Sequence, residues 1–571
     1  MVVAAGWLGF QFDHDFAMRR AAFIEQARVA LFETGRDVRE PDVAIVRLPG
    51  IVAEADGAGF DDDVEVRQRV GVRRHILPGR DGHVPYSHPI VLEQYARARH
   101  LPLPVNLRAK ATTGVLPIES RRVTPGTTAR SGMLPLRTRR IAVSRRDAIR
   151  ERLDATRFID THEHLVEEST RRRGAGAHRL QPCTDAALLF SHYAKDDLWV
   201  AGMTEAERDL VFAAEADPRD KWRALAPSYQ RASATGYIRA VDETLARLFG
   251  VEHLDAESFV RVSDLMRHRA RPGYYREVIA AAGVEVCQVN SLETFFCETA
   301  DPALLQQDLS LVPFSTGLDR AAVDGMSRRS GIAVHSLDDW HAIIEWAFAT
   351  YGPRADAVKS QAAYQRRLNY EPVSSDDARP IFARFLAGEE LAAADRKALE
   401  DHLMRRCLDG AAAARLPVKL HCGYYAGSDR MPLERVRQNA GDLCPLFADY
   451  PNVSFILMHI GYPYQDEYIA LAKHYRNVSI DLCWAWIINP LATTRFVKEF
   501  VLAAPINKLL TFGGDYGVVE PIVGHAAIAR QGLAQALDEL VADDWLTERA
   551  AFDAIDPLMH RNARALFPIF R

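Results

Sequence analysis

The stretch FIDTHEHL, residues 158–165, decides how the rest of the chain is interpreted. An apolar pair enters the stretch, and two histidines follow with one residue between them. Because successive side chains of a β-strand point to opposite faces, His162 and His164 would share one face, about 7 Å apart along the strand. Two imidazoles at that spacing can bind one divalent ion, at about 2.0–2.1 Å per Zn–N bond. Ordinary surface or core histidines are the alternative, so the other segments must decide.

The composition is that of a globular protein. Of the 571 residues, 48% are apolar and 26% are charged, and the net charge is −5. That charge gives no global indication of nucleic-acid binding. No apolar run reaches the roughly 18–20 residues that a membrane-spanning helix needs. We therefore expect a small-molecule substrate and neither a nucleic-acid nor a membrane partner.

The cysteines indicate a reducing compartment. All seven are scattered along the chain, their number is odd, and no CxxC motif occurs. This pattern is typical of reduced thiols rather than of a disulfide framework or a thiolate zinc site. We expect a cytoplasmic protein. A homo-oligomer is compatible with the sequence, which leaves the oligomeric state open.

Residues 1–143 read as an N-terminal extension of unclear fold. A helical pattern covers residues 17–34, and a short strand is expected at 43–46. Residues 101–150 hold eleven basic side chains against two acidic ones, Glu119 and Asp147, with frequent Gly, Thr and Pro. We interpret this segment as a flexible basic linker, with a basic binding surface as the alternative.

From residue 144 onward, strands and helices alternate. Ser144 is expected to cap a first helix. A large helical insertion, residues 166–283, would follow the first strand. The eight expected strands are 158–165, 284–289, 309–314, 357–360, 417–423, 453–461, 478–482 and 508–515. Such alternation indicates parallel strands, and eight repeats indicate a closed (β/α)8 TIM barrel over residues 144–571. An open doubly wound sheet is the second choice, but no GxGxxG follows an early strand.

The carboxyl ends of the expected strands carry the residues that a metal site needs. In a barrel of this kind the chemistry gathers at that end. A histidine-rich set with one carboxylate suits Zn, Mn or Fe better than Ca or Mg. We expect zinc first, as one or two ions. The candidate residues are His162, His164, Lys359, His421, His459 and Asp515.

Taken together, these motifs resemble the amidohydrolase superfamily of metal-dependent barrel enzymes. The matching pieces are IDTHEH, VKLHCG, LMHIG, FGGD and MHRNARALF, which span roughly residues 155–571. The resemblance is nearest to the amidohydrolase-2 type of metal-dependent hydrolase. The long helical insertion also resembles that of the uronate isomerases in the same superfamily.

The resemblance implies a role for each candidate. His162 and His164 match the first-strand metal ligands, and His421 matches a ligand of the fifth strand. His459 matches a residue that binds a second metal or polarises the substrate. Asp515 matches an aspartate that binds metal and moves a proton.

Two lysines compete for one further role. Lys359 lies where some two-metal members have a carboxylated bridging lysine, although a substrate-binding or structural lysine is an equal alternative. Lys419 shares a strand face with His421 and competes for that role. The number of metal ions therefore stays open at this point.

Four further residues are expected to line the substrate site. Tyr424 and Tyr425 follow His421 in GYYAG, and Arg430 lies just beyond. Trp484 follows the seventh strand. Ordinary packing is the alternative for each of them.

The function predicted from the sequence is metal-dependent hydrolysis of a C–N or C–O bond in an amide, lactone or ester. A metal ion lowers the pKa of its bound water from about 15.7 toward about 7, and Asp515 would handle that proton. His459 would stabilise charge that develops on the substrate oxygen.

Alternatives on the same site are uronate-type aldose–ketose isomerisation, with insertion arginines such as Arg239, Arg261, Arg267 and Arg271 as a carboxylate clamp, and non-oxidative decarboxylation. A non-enzymatic barrel module is the remaining reading.

Overall fold

The computed structural model describes residues 144–570 and four strands of the N-terminal part. The chain divides into two units, Met1–Leu136 and Arg137–Arg571. In the first unit, strands β1 (Ala44–Leu48) and β2 (Ile51–Ala55) pair antiparallel, as do β3 (Val64–Val70) and β4 (Leu92–Ala98). The helix expected at 17–34 and the basic linker, up to residue 143, lie outside the described residues.

The second unit is built on one sheet of eight strands. Their order in space is their order in the chain, and every neighbouring pair is parallel. The strands are β5 (Phe158–Glu163), β6 (Val284–Val289), β7 (Leu305–Ser310), β8 (Ala355–Ser360), β9 (Val418–His421), β10 (Phe455–Met458), β11 (Val478–Asp481) and β12 (Leu509–Leu510).

Backbone hydrogen bonds bring the two ends of this sheet together. The Thr161 N–H donates to the Phe512 carbonyl at 3.0 Å, and the Asp515 N–H donates to the His162 carbonyl at 2.9 Å. The first strand is therefore joined to the segment that follows the last one. The predicted TIM barrel is confirmed, and the open doubly wound sheet is excluded.

The third expected strand was partly wrong. It was placed at 309–314, whereas β7 ends at Ser310 and a helical turn, Val312–Ser315, follows. Pro313 lies in that turn and lacks the N–H that a ladder requires. The observed strand begins earlier, at Leu305. Its residues Gln306, Gln307 and Asp308 are polar, so this part of the strand has no apolar run to indicate it. The eighth strand is also shorter than expected, with only two residues in the ladder.

Helices cover the outside of the barrel and fill the insertion. Ser144 caps the first helix, Arg145–Asp154, as predicted. The insertion holds the α-helices Glu168–Arg171, Ala194–Val200, Glu205–Phe212, Pro218–Ala232, Gly236–Thr244, Ala256–Arg269 and Tyr274–Ala281. The α-helices that follow are Val312–Ser315, Arg320–Ser330, Leu337–Tyr351, Ser375–Leu386, Ala393–Ala414, Leu433–Asp449, Gln465–His474, Ala485–Ile488, Pro490–Ala503, Pro521–Ala542, Glu548–Asp556 and Asn562–Leu566.

Glycines in the left-handed conformation divide two of the helical segments. Residues 196–213 form two helices because Gly202 takes a left-handed φ of 95° and Thr204 starts a new helix with a capping box. Residues 376–414 likewise form two helices, separated at Gly388 with a φ of 83°. No helix in the described ranges is long and apolar enough to cross a membrane.

The barrel interior is filled in levels. Apolar side chains from five of the strands, Ile159, Val286, Ala357, Ile456 and Leu510, pack with Ala563 and Phe567 of the C-terminal segment. This plug closes the barrel beneath the carboxyl ends of the strands. Above it lies a buried polar level, in which Lys419 binds Asp308 at 2.8 Å. The predicted histidines lie at the rim.

Candidate metal centre

The strand ends leave the sheet through strained backbone. His459, Ile460, Trp484 and Asp515 all have left-handed φ values, between 49° and 64°. Each such non-glycine residue costs of order 1–3 kcal/mol, and they cluster where function requires a fixed geometry. His459 directly follows β10, whereas Trp484 and Asp515 lie in the short loops after β11 and β12. The turns direct the side chains of His459 and Asp515 toward the barrel axis.

The first strand and Asp515 form one half of the centre. The Asp515 Oδ1 lies 3.3 Å from the His162 Nε2 and 3.1 Å from the His164 Nε2. Tetrahedral ligands at about 2.0–2.1 Å from an ion lie about 3.3–3.4 Å from one another. The three atoms therefore have the spacing of one coordination shell. Predicted residues that lie 353 positions apart in the chain meet at this point.

The hydrogen bonds at Nδ1 determine which nitrogen carries the proton in His164 and His459. The His164 Nδ1 lies 2.7 Å from the Asn290 carbonyl, and the His459 Nδ1 lies 2.9 Å from the Cys483 carbonyl. A carbonyl oxygen can only accept, so each Nδ1 carries the proton and each Nε2 presents a lone pair. A hydrogen bond of this kind fixes the tautomer of metal-binding histidines.

The fifth and sixth strands form the other half. The His421 Nε2 donates to the Tyr424 carbonyl, which leaves the Nδ1 lone pair 2.9 Å from the His459 Nε2. Two lone pairs thus face each other. The His459 Nε2 also lies 4.0 Å from the Asp515 Oδ2. Asp515 therefore presents one oxygen to each half.

Burial keeps the histidines neutral. Desolvation lowers the pKa of His162 to about 4 and that of His459 to about 3. Desolvation lowers the pKa of His421 well below its usual value, and charge repulsion from His459 and Lys359 contributes to the same shift. Burial alone would raise the pKa of Asp515, but His162 and His164 outweigh it and lower that pKa well below the usual range. His162, His421 and His459 are thus neutral imidazoles near the Asp515 carboxylate.

This donor set fits a divalent metal. The Asp515 Oδ1 has no hydrogen-bond partner although it is buried, and several nitrogen lone pairs converge on the same space. A cation is the group that satisfies all of these atoms at once. His162, His164 and Asp515 would hold it.

Comparisons with known proteins agree with this geometry. Residues 354–569 match the family model described as Amidohydrolase. This segment, in the C-terminal half of the barrel, is similar to the amidohydrolases. The resemblance predicted from the motifs is confirmed for this part of the chain.

One curated relative and two solved structures illustrate the range of this fold. Protein fluG of Emericella nidulans is 28% identical over 228 residues, which are 37% of this chain and 25% of that protein. The uronate isomerase of Thermotoga maritima has a TM-score of 0.61 at 14% identity, covering 74% of this chain and 97% of its own. A Lactobacillus casei protein, proposed to be a metal-dependent hydrolase, has a TM-score of 0.51 at 16% identity, covering 73% and 96%. At these identities the two structures show the fold alone.

The two candidate lysines of the barrel have different surroundings. The Lys359 Nζ lies 3.0 Å from the His162 Nε2 and 2.9 Å from the Met458 Sδ, at the edge of the metal centre. The Lys419 Nζ binds both Asp308 oxygens, the Gln288 side chain and the Thr161 carbonyl. The geometry therefore places Lys359, and not Lys419, beside the histidines.

The four predicted substrate residues divide into two groups. Trp484 is buried and lies 5.3 Å from the His459 ring, and the half-buried Tyr424 lies 5.7 Å from Trp484, between ring centroids. Tyr425 is buried, and its hydroxyl donates to the Ala363 carbonyl, which is a structural contact. Arg430 is exposed and lines a cavity of about 520 Å³ with Tyr364 and Tyr425. Trp484 and Tyr424 thus lie near the metal centre, and Arg430 lies on an outer cavity.

The sequence did not single out several residues that the structure brings to the centre. Tyr193, from the insertion, stacks on Trp484 with 4.4 Å between ring centroids. Burial, and next the charge of Asp515, raises the pKa of the Tyr193 phenol well above its usual value. His192 precedes it, and burial lowers the pKa of His192 to about 3. Cys483, at the end of β11, forms a second candidate ligand group with His459 and Asp515. No local spacing marks these residues, because they reach the centre through the tertiary fold.

Proposed function

We propose that this protein is a metal-dependent hydrolase that cleaves a C–N or C–O bond in an amide, lactone or ester of a small molecule. The observation that carries the proposal is the position of Asp515. Its two oxygens face two separate sets of imidazole nitrogens, His162 with His164 and His459 with His421. A carboxylate held in this way can act as a ligand and still exchange a proton with the reacting groups.

The metal that suits this donor set is zinc, with manganese or iron as alternatives. When bound, a divalent ion would act as a Lewis acid toward the substrate carbonyl and would acidify water. His162 and His164 would hold it with Asp515. The hydrogen bond from His164 to the Asn290 carbonyl keeps the ligand nitrogen of that ring free of its proton.

The protein's own groups would handle the proton. Asp515 is deprotonated because its pKa is depressed, so a lone pair of its carboxylate that binds no ion can take the proton from the attacking water. It can then deliver that proton to the leaving nitrogen or oxygen. The Tyr193 phenol stays protonated, and its hydroxyl can donate to a substrate oxygen beside Asp515. His459 presents a lone pair toward the centre, which favours its role as a ligand over its role as a donor to the substrate.

The insertion and the loops would define the substrate pocket. Trp484, Tyr193 and Tyr424 form an aromatic wall near His459. Such a wall favours a small molecule with an apolar or planar part. Arg430 would contact a more distant polar group of that molecule. We place this activity in the cytoplasm, without a nucleic-acid or membrane partner.

A second candidate function is aldose–ketose isomerisation of a uronate-like acid. The pairing of Tyr193 with Asp515 favours it, because two proton-carrying groups could serve adjacent carbons. The four arginines suggested as a carboxylate clamp, Arg239, Arg261, Arg267 and Arg271, are exposed, and two of them pair with acids of the insertion. This lack of a clamp makes isomerisation the weaker candidate. Decarboxylation remains a third candidate on the same centre.

The proposal is tested by activity against a panel of lactones, amides, esters and uronates, measured together with metal content per chain. Asp515→Asn should lower kcat on the best substrate by about a thousandfold, since general acid–base groups contribute about 10²–10⁴-fold. Asp544→Asn is the matched control, because Asp544 has a similar left-handed φ, 60° against 64°, on the surface. Interconversion of sugar acids without hydrolysis would favour the isomerase. Near-normal turnover by the Asp515 variant would refute the mechanism.

A further inference from the structure

We propose that the centre contains a second metal position in which the Cys483 thiolate is a ligand, together with His459 and the Oδ2 of Asp515. This inference deepens the proposed metal-dependent function and rests on it. Cys483, His459 and Asp515 each offer one ligand atom, and these atoms lie within 4.8 Å of one another. All three residues are buried. The group is separate from His162 and His164 and shares only Asp515 with them.

The backbone just after β11 presents Cys483 to the centre in a fixed orientation. Its N–H binds Asp481 at 2.8 Å, and its carbonyl accepts from the His459 Nδ1. The same residue thus fixes the tautomer of His459 and offers its own sulfur. Opposite it, Gly513 leaves the room that the thiol occupies, because a Cβ on Gly513 would lie 3.0 Å from the Cys483 Sγ. A larger residue at 513 would displace the sulfur.

The two oxygens of Asp515 are what make two positions rather than one. Oδ1 faces His162 and His164 at 3.3 and 3.1 Å, whereas Oδ2 faces His459 at 4.0 Å. One carboxylate can bridge two ions in this way. On the Oδ2 side the lone pairs of His421 and His459 lie only 2.9 Å apart, and each ring donates its proton elsewhere. A cation between them would remove that repulsion.

The chemistry of sulfur gives this position a different preference from the first. Thiolate is a soft ligand that selects zinc or cobalt over magnesium, calcium or manganese. Binding would release the thiol proton to water and form one metal–sulfur bond, without any change of oxidation state. We therefore expect the two positions to fill in sequence and with different metal selectivity.

Cobalt(II) is the probe that tests this, because a thiolate ligand gives a sulfur-to-cobalt charge-transfer band in the near ultraviolet. We expect metal-free full-length protein to bind two Co(II) per chain and to develop that band. Cys483→Ser should abolish the band and weaken the second binding event at least tenfold, since even outer-shell partners are worth about 10–100-fold in metal affinity. Cys407→Ser is the matched control, because Cys407 is equally buried but lies on the helix Ala393–Ala414, away from the rim.

The outcomes separate the inference from the proposed function. A single bound Co(II) without the band, or a band that persists in the Cys483→Ser protein, overturns the thiolate ligand even if hydrolysis is observed. A band that depends on Cys483, with an active Asp515→Asn enzyme, supports the ligand and refutes the mechanism. If Cys483→Ser folds poorly by circular dichroism, Cys483→Ala must give the same loss of the band at full native signal, and retention there overturns the inference.

Discussion

Lys359 and Lys419 show how two buried lysines in one barrel can have different uses. They face each other as paired residues of neighbouring strands, and both are almost inaccessible to solvent. The Lys419 ammonium donates to three groups, the Thr161 carbonyl, the Gln288 side chain and the Asp308 carboxylate, with which it forms an ion pair. Lys359 forms no ion pair among the described residues and contacts only a histidine and a methionine sulfur. Burial lowers the pKa of its amine.

The difference indicates that a buried lysine with an anionic partner has a structural role, whereas a buried lysine without one belongs to the metal centre. Asp308 neutralises Lys419, and Phe567 of the plug lies 5.0 Å from its Nζ. Lys359 instead lies where a metal ligand, His162, needs its lone pair. No ion pair among the described residues offsets the free-energy cost of burying the Lys359 amine. This is expected of a group that is retained for function.

The largest effect expected from this comparison is on stability. Lys419→Met would leave the Asp308 carboxylate buried without its cation, and breaking such a pair costs about 3–5 kcal/mol of unfolding free energy. Urea denaturation measures this loss. A double variant that also carries Asp308→Asn should recover part of it, because the uncompensated charge is then gone. A loss below about 1 kcal/mol would contradict the scaffold role of Lys419.

Lys359→Met should have the opposite effect, with little change in stability and a large loss of turnover. Methionine has a similar volume and no charge, so the unfolding free energy should change by less than about 1 kcal/mol. Turnover should fall by about a hundredfold, since the amine beside His162 is lost from the reacting region. Steady-state kinetics and urea denaturation on the same preparation check both parts. Normal activity of the Lys359→Met variant would show that Lys359 has only a structural role.

A smaller effect is expected from the insertion. Tyr193→Phe removes the hydroxyl beside Asp515, and a hydrogen bond to a charged group is worth about 1.5 kcal/mol or more, which is roughly tenfold in kcat. Tyr237→Phe is the matched control, because Tyr237 stacks on Tyr193 at 5.4 Å between ring centroids without contacting the carboxylate. Equal effects of the two variants would mean that Tyr193 acts only through packing.

The smallest effect should be that of mild acid on metal content. Protons compete with a metal for imidazole lone pairs. Since burial lowers the pKa of His162 to about 4 and that of His459 to about 3, both rings stay neutral down to those values. We expect metal content after dialysis to be almost equal at about pH 7.5 and about pH 5.5, although a free imidazole would be half protonated near 6.5. Metal loss that follows a titration near 6.5 would show that the ligands are solvated.

The local pattern predicted much of the architecture. Apolar strand runs and helical periodicity located seven of the eight strands, because a parallel strand buried on both faces reads as a continuous apolar run. The last of them was expected at 508–515, but only Leu509–Leu510 lie in the ladder. The third strand was missed in part, since its Gln306, Gln307 and Asp308 are polar although they are buried. The roles of the candidate site residues stay predictions, although the structure brings His162, His164, His421, His459 and Asp515 to one place.

The sequence by itself determined the barrel and the strand ends at which chemistry could occur, because both depend on residue order and spacing. Only the tertiary structure decided which lysine joins the histidines, since Lys359 and Lys419 lie at equivalent positions of adjacent strands. It also decided that Tyr193 and Cys483 reach Asp515. Those contacts join segments more than 30 residues apart in the chain, and their spacing in the sequence carries no information about them. Distances of a few ångströms are properties of packing, which no local pattern encodes.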